Sequence, residues 1–406
     1  MTMRHLSHFT LALAALASIS FAGDWPQFRG PDSTGVSPDA KIPENPKIDW
    51  SAALPGRGLA SPIVVGGKVF IACSSGPRQE RLHLICFNAD DGAKLWERQL
   101  HATGRTMSHP KTSVAACTPC SDGRHVFALW SSNDLAAFDL EGNLLWVRGL
   151  TADYPNASNS LGMASSPIVI GETVVAMIEN DSESYSLGID AKTGRNLWKL
   201  DRPKAANWTS PVPFRADEKA APIALLQSTK GLLAVDATSG SRMWEYDEGA
   251  STMSSSVIAA GVIYAPSNGM TALTPQPGGA APAQLWRSKQ INPSTISPLV
   301  LDGRLFSVNG AGVITTADAK TGENGWKLRL TGPFSGSPVG AGARLFTVNE
   351  KGLVQIVDIA APEGAILGQL QLPLKEDAKE LILCTPALSG GHVFVRSDST
   401  LWRLGE

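Results

Sequence analysis

Two groups of side chains in this chain have types and spacings that chemistry uses. The first is Cys117-Thr-Pro-Cys120, a C-x-x-C spelling among five cysteines, with Cys73, Cys86 and Cys384 elsewhere. In an oxidising compartment that spelling suits a redox pair or half a zinc site. Zinc needs a second ligand pair at fitting spacing, and the chain has none. In an extended strand, residues three apart point to opposite faces about 10 Å from one another, too far for a disulfide. A helix start, which lowers the thiol pKa in redox motifs, is also missing. Cys117 precedes a Thr-Pro pair by no intervening residue, and Cys384-Thr-Pro386 repeats the pattern. These cysteines therefore read as small buried apolar residues. The second group is Arg105, His109 and Lys111, a cationic set suited to an anionic or peptide ligand. Asn159 and the aromatic wall of Trp208 stand on later loops of the same kind. The seven histidines form no H-x-x-x-H or H-E-x-x-H pattern, and neither a G-x-S-x-G elbow nor a phosphate-cradling glycine loop occurs. Ser335 and Ser337 have no partnered histidine, so no catalytic residue and no metal ligand is assigned.

The elements that must position these side chains come from a repeat. Lys and Arg number 35 against 37 Asp and Glu, a balance that argues against nucleic acid as partner. Abundant glycine (39) and proline (27) fit short strands joined by tight turns, and 43% apolar residues supply a large core. The phrase Asp-Ala-x-(Thr/Ser)-Gly-x-x-x-Trp is complete at Asp190–Trp198 and returns at Asp236–Trp244 and Asp318–Trp326. Degraded copies run Asn88–Trp96 and Asp139–Trp146, Trp286 keeps only the tryptophan, and Gly368 replaces it in the seventh copy. Steps of 40 to 52 residues between these tryptophans match a four-stranded propeller blade.

A Ser-Pro or Thr-Pro pair precedes each tryptophan, at Pro62, Pro119, Pro167, Pro211, Pro298, Pro338 and Pro386, with Ser255-Ser256 in the fifth unit. In the sixth unit, strands are expected over 296–301, 304–309, 313–317 and 326–330, split by glycine turns. After Pro386 only three strands fit, which would leave an exposed edge. Ile48–Leu54, with Trp50, is expected to supply the missing outer strand and close an all-β, eight-bladed propeller. Trp50, Trp96, Trp146, Trp198, Trp244, Trp286 and Trp326 are read as blade-docking residues, each ring on the neighbouring blade and each N–H on a backbone carbonyl.

Arg4, an apolar run over 9–21 and Ser20-Phe21-Ala22 spell a secretory signal peptide cut after Ala22. The expected organisation is a signal peptide over 1–22 and a single propeller domain over 23–406, exported to the periplasm or beyond the cell. Eight blades consume nearly all of that domain, leaving little chain for a lid.

The phrases at Asp190–Trp198 and Asp318–Trp326 resemble the PQQ-like (quinoprotein-type) repeat, and the opening Asp24-Trp-Pro-Gln-Phe-Arg-Gly-Pro31 is similar to the leader of secreted bacterial members. That family includes PQQ-dependent alcohol dehydrogenases and BamB, a propeller subunit of the outer-membrane assembly machinery. For an enzyme, the resemblance implies a bound quinone, calcium, a carboxylate base and a disulfide between adjacent cysteines. This chain has no Cys-Cys pair. The favoured expectation is a BamB-like, non-catalytic binding platform for another envelope or secreted protein, without a cofactor. The alternatives are a PQQ- and calcium-dependent dehydrogenase, and a small-ligand or glycan binder using Arg105, His109, Lys111, Asn159 and Trp208 at the channel mouth.

Overall fold

The computed structural model describes residues 23–38, 40–157, 161–215, 221–375 and 379–406; residues 1–22, where the signal peptide is expected, lie outside them. Eight antiparallel sheets of four strands each form the propeller. Blade 1 runs Ile63–Val65, Lys68–Ser75, Arg81–Asn88 and Lys94–His101, and blade 2 runs Cys120–Ser121, His125–Leu129, Asp134–Asp139 and Leu144–Gly149. Blades 3 to 7 follow in the same order, ending in outer strands Asn196–Asp201, Arg242–Tyr246, Ala283–Ser288, Asn324–Arg329 and Ala365–Gln371. Blade 8 takes Ala387–Ser389, His392–Arg396 and Thr400–Gly405 from the end of the chain and Lys47–Ala53 from its front. Trp50 pairs with Arg403 and Ala52 with Leu401, so the front strand closes the ring.

The sixth blade departs from the expected bounds in a way that has a physical reason. Its innermost strand is only Leu299–Leu301, because Pro298 has no N–H to pair and Ser297 turns its own N–H sideways. The same sideways bond recurs around the ring. Ser61 donates its backbone N–H to the Thr118 hydroxyl, Thr118 to Ser166, Ser166 to Ser210, and Ser210 to Ser255, all at 2.9–3.0 Å. Ser255 continues to Ser297, Ser297 to Ser337 and Ser337 to Thr385, at 3.0–3.1 Å. The Ser-Pro marker is thus a belt of hydroxyls that joins the innermost strands blade to blade.

The tryptophans do the joining further out. A β-bulge precedes the Trp in the outer strand, as where Cys86 faces Trp96 but Phe87 faces Lys94. The bulge leaves Leu95 pointing outward and aims Trp96 at blade 2. Trp96 Nε1 donates to Leu140 O at 3.0 Å; Trp50, Trp146, Trp198 and Trp286 donate likewise to Ala89, Ala191, Ala237 and Ala319 at 2.9–3.1 Å. The repeat glycine completes each joint. Gly194, at φ +71°, lies under the Trp146 ring, where an added Cβ would come within 2.7 Å. Trp244 is buried in the cluster shared by blades 4 and 5. Trp326 differs: its indole N–H is buried without an acceptor, and the carbonyl at the equivalent place in the next blade, Ile359 O, accepts instead from Arg304 Nη1 at 3.1 Å. Gly368 stands in the Trp place of blade 7 because the chain entering blade 8 crosses there, and a Cβ would sit 1.9 Å from Glu44 O.

Apolar clusters fill the space between successive blades, such as Phe127, Leu187 and Ile189 between blades 2 and 3. The leader, Asp24–Pro38, belongs to no blade. Trp25 forms an antiparallel bridge with Val64 of blade 1, through bonds of 2.7 and 2.9 Å, and Pro26 O accepts from Ser121 N of blade 2 at 2.8 Å. The Arg29 guanidinium donates to Pro298 O of blade 6, and Gly35 O accepts from Gly340 N of blade 7 at 2.8 Å. Blades 2 and 6 stand opposite each other in a ring of eight, so the leader crosses the channel axis and covers one end.

Candidate functional site

The other end of the channel is framed by the loops that lead into the innermost strands. The connection from blade 1 to blade 2, residues 102–119, reaches farthest over it. Pro110 O accepts from the Arg57 guanidinium, which also pairs with Asp398 at 3.5 Å. His109 N donates to Leu161 O at 2.9 Å, tying the loop to blade 3. Lys111 Nζ lies 3.2 Å from both oxygens of Glu350 on blade 7, and Ser335 Oγ donates to the same carboxylate at 2.6 Å. One loop thus spans the mouth, where the sequence left little chain for a lid.

This geometry separates the cationic set. Lys111 is engaged by Glu350, and His109 Nδ1 accepts from Lys111 N at 3.1 Å, so it serves its own turn. Arg105 lines a different concavity beside Arg78 and Met107. Trp208 sits on the far rim; its indole donates to Gly162 O at 2.9 Å and its N–H to Thr252 O at 2.8 Å. Asn159 lies outside the described residues. Arg57 and Glu350 had no marker in the sequence, because their partners come from blades far apart in the chain, and Arg78 stands on a hairpin turn that belongs to no repeat phrase. Three apolar side chains on these linked loops are about half exposed: Met107, Leu161 and Met253. A second concavity, of about 890 Å³, lies at the covered end between Pro31 and Val36 of the leader and Ile170, Phe214 and Ala259 of the inner hairpins.

The mouth holds several buried carboxylates, and each is clamped singly. Glu179 takes Arg202 Nε at 2.6 Å and Asn207 Nδ2 at 2.8 Å; burial still pushes its carboxyl above the ordinary value. Asp134 accepts from Thr103 N, Thr103 Oγ1 and Ser132 Oγ at 2.6–3.0 Å. Glu380 accepts from Ser399 Oγ at 2.6 Å and Ser399 N at 3.0 Å. Among the described residues no three His, Cys, Asp or Glu side chains gather as a metal cage. Calcium takes six to eight oxygens at one point, whereas the carboxylates named here stand apart, each with its own donors. All five cysteines are free and buried. Burial pushes the Cys117 thiol up to about 12 and that of Cys384 up to about 11, so neither is a thiolate nucleophile near neutrality.

The architecture is that of a β-propeller built from PQQ-like repeats. The profile described as "Outer membrane protein assembly factor BamB" matches residues 43–207, 185–281 and 279–399, and the chain belongs to this family. A BamB from Moranella endobia is 24% identical over 157 residues, which is 38% of this chain and 35% of that protein. The match therefore spans about a third of the curated relative's length. Among solved structures, BamB from Moraxella catarrhalis superposes with a TM-score of 0.61 at 16% identity, covering 89% of this chain and 98% of that one. Quinohemoprotein alcohol dehydrogenase from Comamonas testosteroni superposes at 0.67 with 13% identity, covering 95% and 81%. At these identities both likenesses speak for the fold alone.

Proposed function

We propose that this protein is a non-catalytic platform that binds another protein of the bacterial envelope through the mouth face of its propeller. One observation carries the reading: Leu161 and Met253 stand exposed next to the anchor points of Trp208, and Met107 stands exposed on the adjoining loop, all on loops braced to one another by backbone hydrogen bonds. Apolar and aromatic side chains held on a rigid frame are what a protein partner buries at the centre of an interface. The buried carboxylates of the mouth, Glu350, Glu179 and Asp134, are each occupied in holding its loops, which favours a binding frame. Kinship with the outer-membrane assembly factor family supports a protein partner and an exported location. Among the described residues no helix is long and apolar enough to cross a membrane.

The test is a double variant, Leu161→Glu with Met253→Glu, used as bait in envelope extract beside the native protein. A defined partner retained by the native protein and lost by the variant, at unchanged circular dichroism, is the expected result. Equal retention by both, or turnover of alcohols after loading with quinone and calcium, would overturn the reading.

A further inference from the structure

We infer that the groove between residues 77–80 and 101–108 is a docking site for an acidic, extended segment of a partner protein. The inference rests on the platform reading above and gives the partner's chemistry. The groove has a volume of about 610 Å³ and opens on the mouth face at its blade 1 margin. Arg78 lies on one wall and Arg105 on the other, with His101 at one end. The exposed Arg78 guanidinium has no carboxylate partner among the described residues. The single acid of the lining, Glu80, bends back to accept from Arg78 N at 2.8 Å. Two guanidiniums against one carboxylate leave the lining net positive in a molecule that is close to neutral overall.

The remaining lining explains why the segment is a peptide. Met107 is 52% exposed, the highest value among the large apolar side chains, and it stands with Pro77 on the rim. A ligand that brings only charge would leave Met107 in water; an acidic segment with one apolar side chain uses both features. The walls are fixed before any partner arrives. Gln79 Oε1 accepts from Val114 N at 3.1 Å and from Ser74 Oγ at 3.0 Å, while its amide donates to Ser108 Oγ at 3.5 Å. Thr103 is clamped on Asp134 of blade 2. A preformed groove spares the ordering cost on the protein's side of the contact.

Fluorescence anisotropy on the full chain tests the inference with three labelled probes: a ten-residue Glu/Leu peptide, its Lys/Leu counterpart and a single-stranded oligonucleotide. The acidic peptide is expected to bind and the Lys/Leu peptide to fail, with binding weakened by added salt. Arg78→Glu and Met107→Glu are each expected to weaken binding by about tenfold or more, with unchanged melting temperature. Acidic-peptide binding that survives Arg78→Glu, or an oligonucleotide that binds more tightly than the peptide, would overturn the groove assignment. Full retention of the envelope partner by Arg78→Glu, alongside its loss in the Leu161/Met253 variant, would sink the groove and leave the platform standing.

Discussion

The two ends of the channel are closed by opposite means. At one end the leader is sealed in by backbone pairing and by its buried anchor side chains: Trp25 is fully buried and Arg29 is 1% exposed. At the other, backbone bonds tie the loop over residues 102–119 to blades 1, 2 and 3, while its crossing to blade 7 rests on the Lys111–Glu350 pair, whose lysine is 60% exposed. Backbone bridges inside an apolar setting are strong and poorly reversible, whereas an exposed ion pair is worth little and weakens with salt. The leader is thus a structural seal, and the ion pair across the mouth is the weaker of the two closures. Arg29, Asp32 and Ser33 all sit at positive φ, between 53° and 64°, and the Arg29 Nε and Nη1 groups are buried without partners. Such costs persist only where surrounding structure imposes them.

Three substitutions would break or sharpen this contrast. Trp25→Ala removes a fully buried indole from the leader and is expected to cost about 3–5 kcal/mol, read as a lowered urea midpoint. A loss below about 1 kcal/mol would mean that the leader is a passive tail. Arg29→Met is next. Replacing a buried charge that lacks a counter-ion is expected to leave stability equal or raise it by about 1–2 kcal/mol near neutrality. The two proteins should also differ in pH response. Burial lowers the Arg29 pKa to about 9, so between that value and the ordinary arginine value the unfolded chain holds the proton more tightly than the folded one. Native stability relative to Arg29→Met should therefore rise as pH climbs above about 9, seen by comparing urea melts at about pH 8 and about pH 10. An unchanged difference over that range would show that the guanidinium is solvated, and a relative fall that a negative group holds it in the folded state. The smallest effect belongs to Lys111→Met: under about 1 kcal/mol in stability, but faster amide exchange confined to residues 105–112. Unchanged exchange there would show that the loop is held by its backbone alone.

Much of the frame was legible in the sequence. The tryptophan interval, the glycine turns and the shortage of strands after Pro386 are local or arithmetic facts, and they led to eight blades and to closure by Ile48–Leu54, observed as Lys47–Ala53. The role of the Ser-Pro marker was not legible. Its proline could be seen, but the bond from Ser166 N to the Ser210 hydroxyl joins residues a whole repeat apart. Gly368 looked like a decayed repeat; only the path of Glu44 across blade 7 explains it. At the mouth, Arg105, His109 and Lys111 read as one cationic group because they are neighbours in the chain. The fold sends them to three different tasks.

By itself the sequence determined the module, its number and its order, because periodic burial and turn chemistry act over a few residues at a time. Which charges meet was decided by tertiary structure alone. Lys111 meets Glu350 and Arg29 meets Pro298 O only after a closed ring has carried distant loops to one axis. Coulomb attraction and desolvation depend on that final separation and burial, which no spacing along the chain encodes.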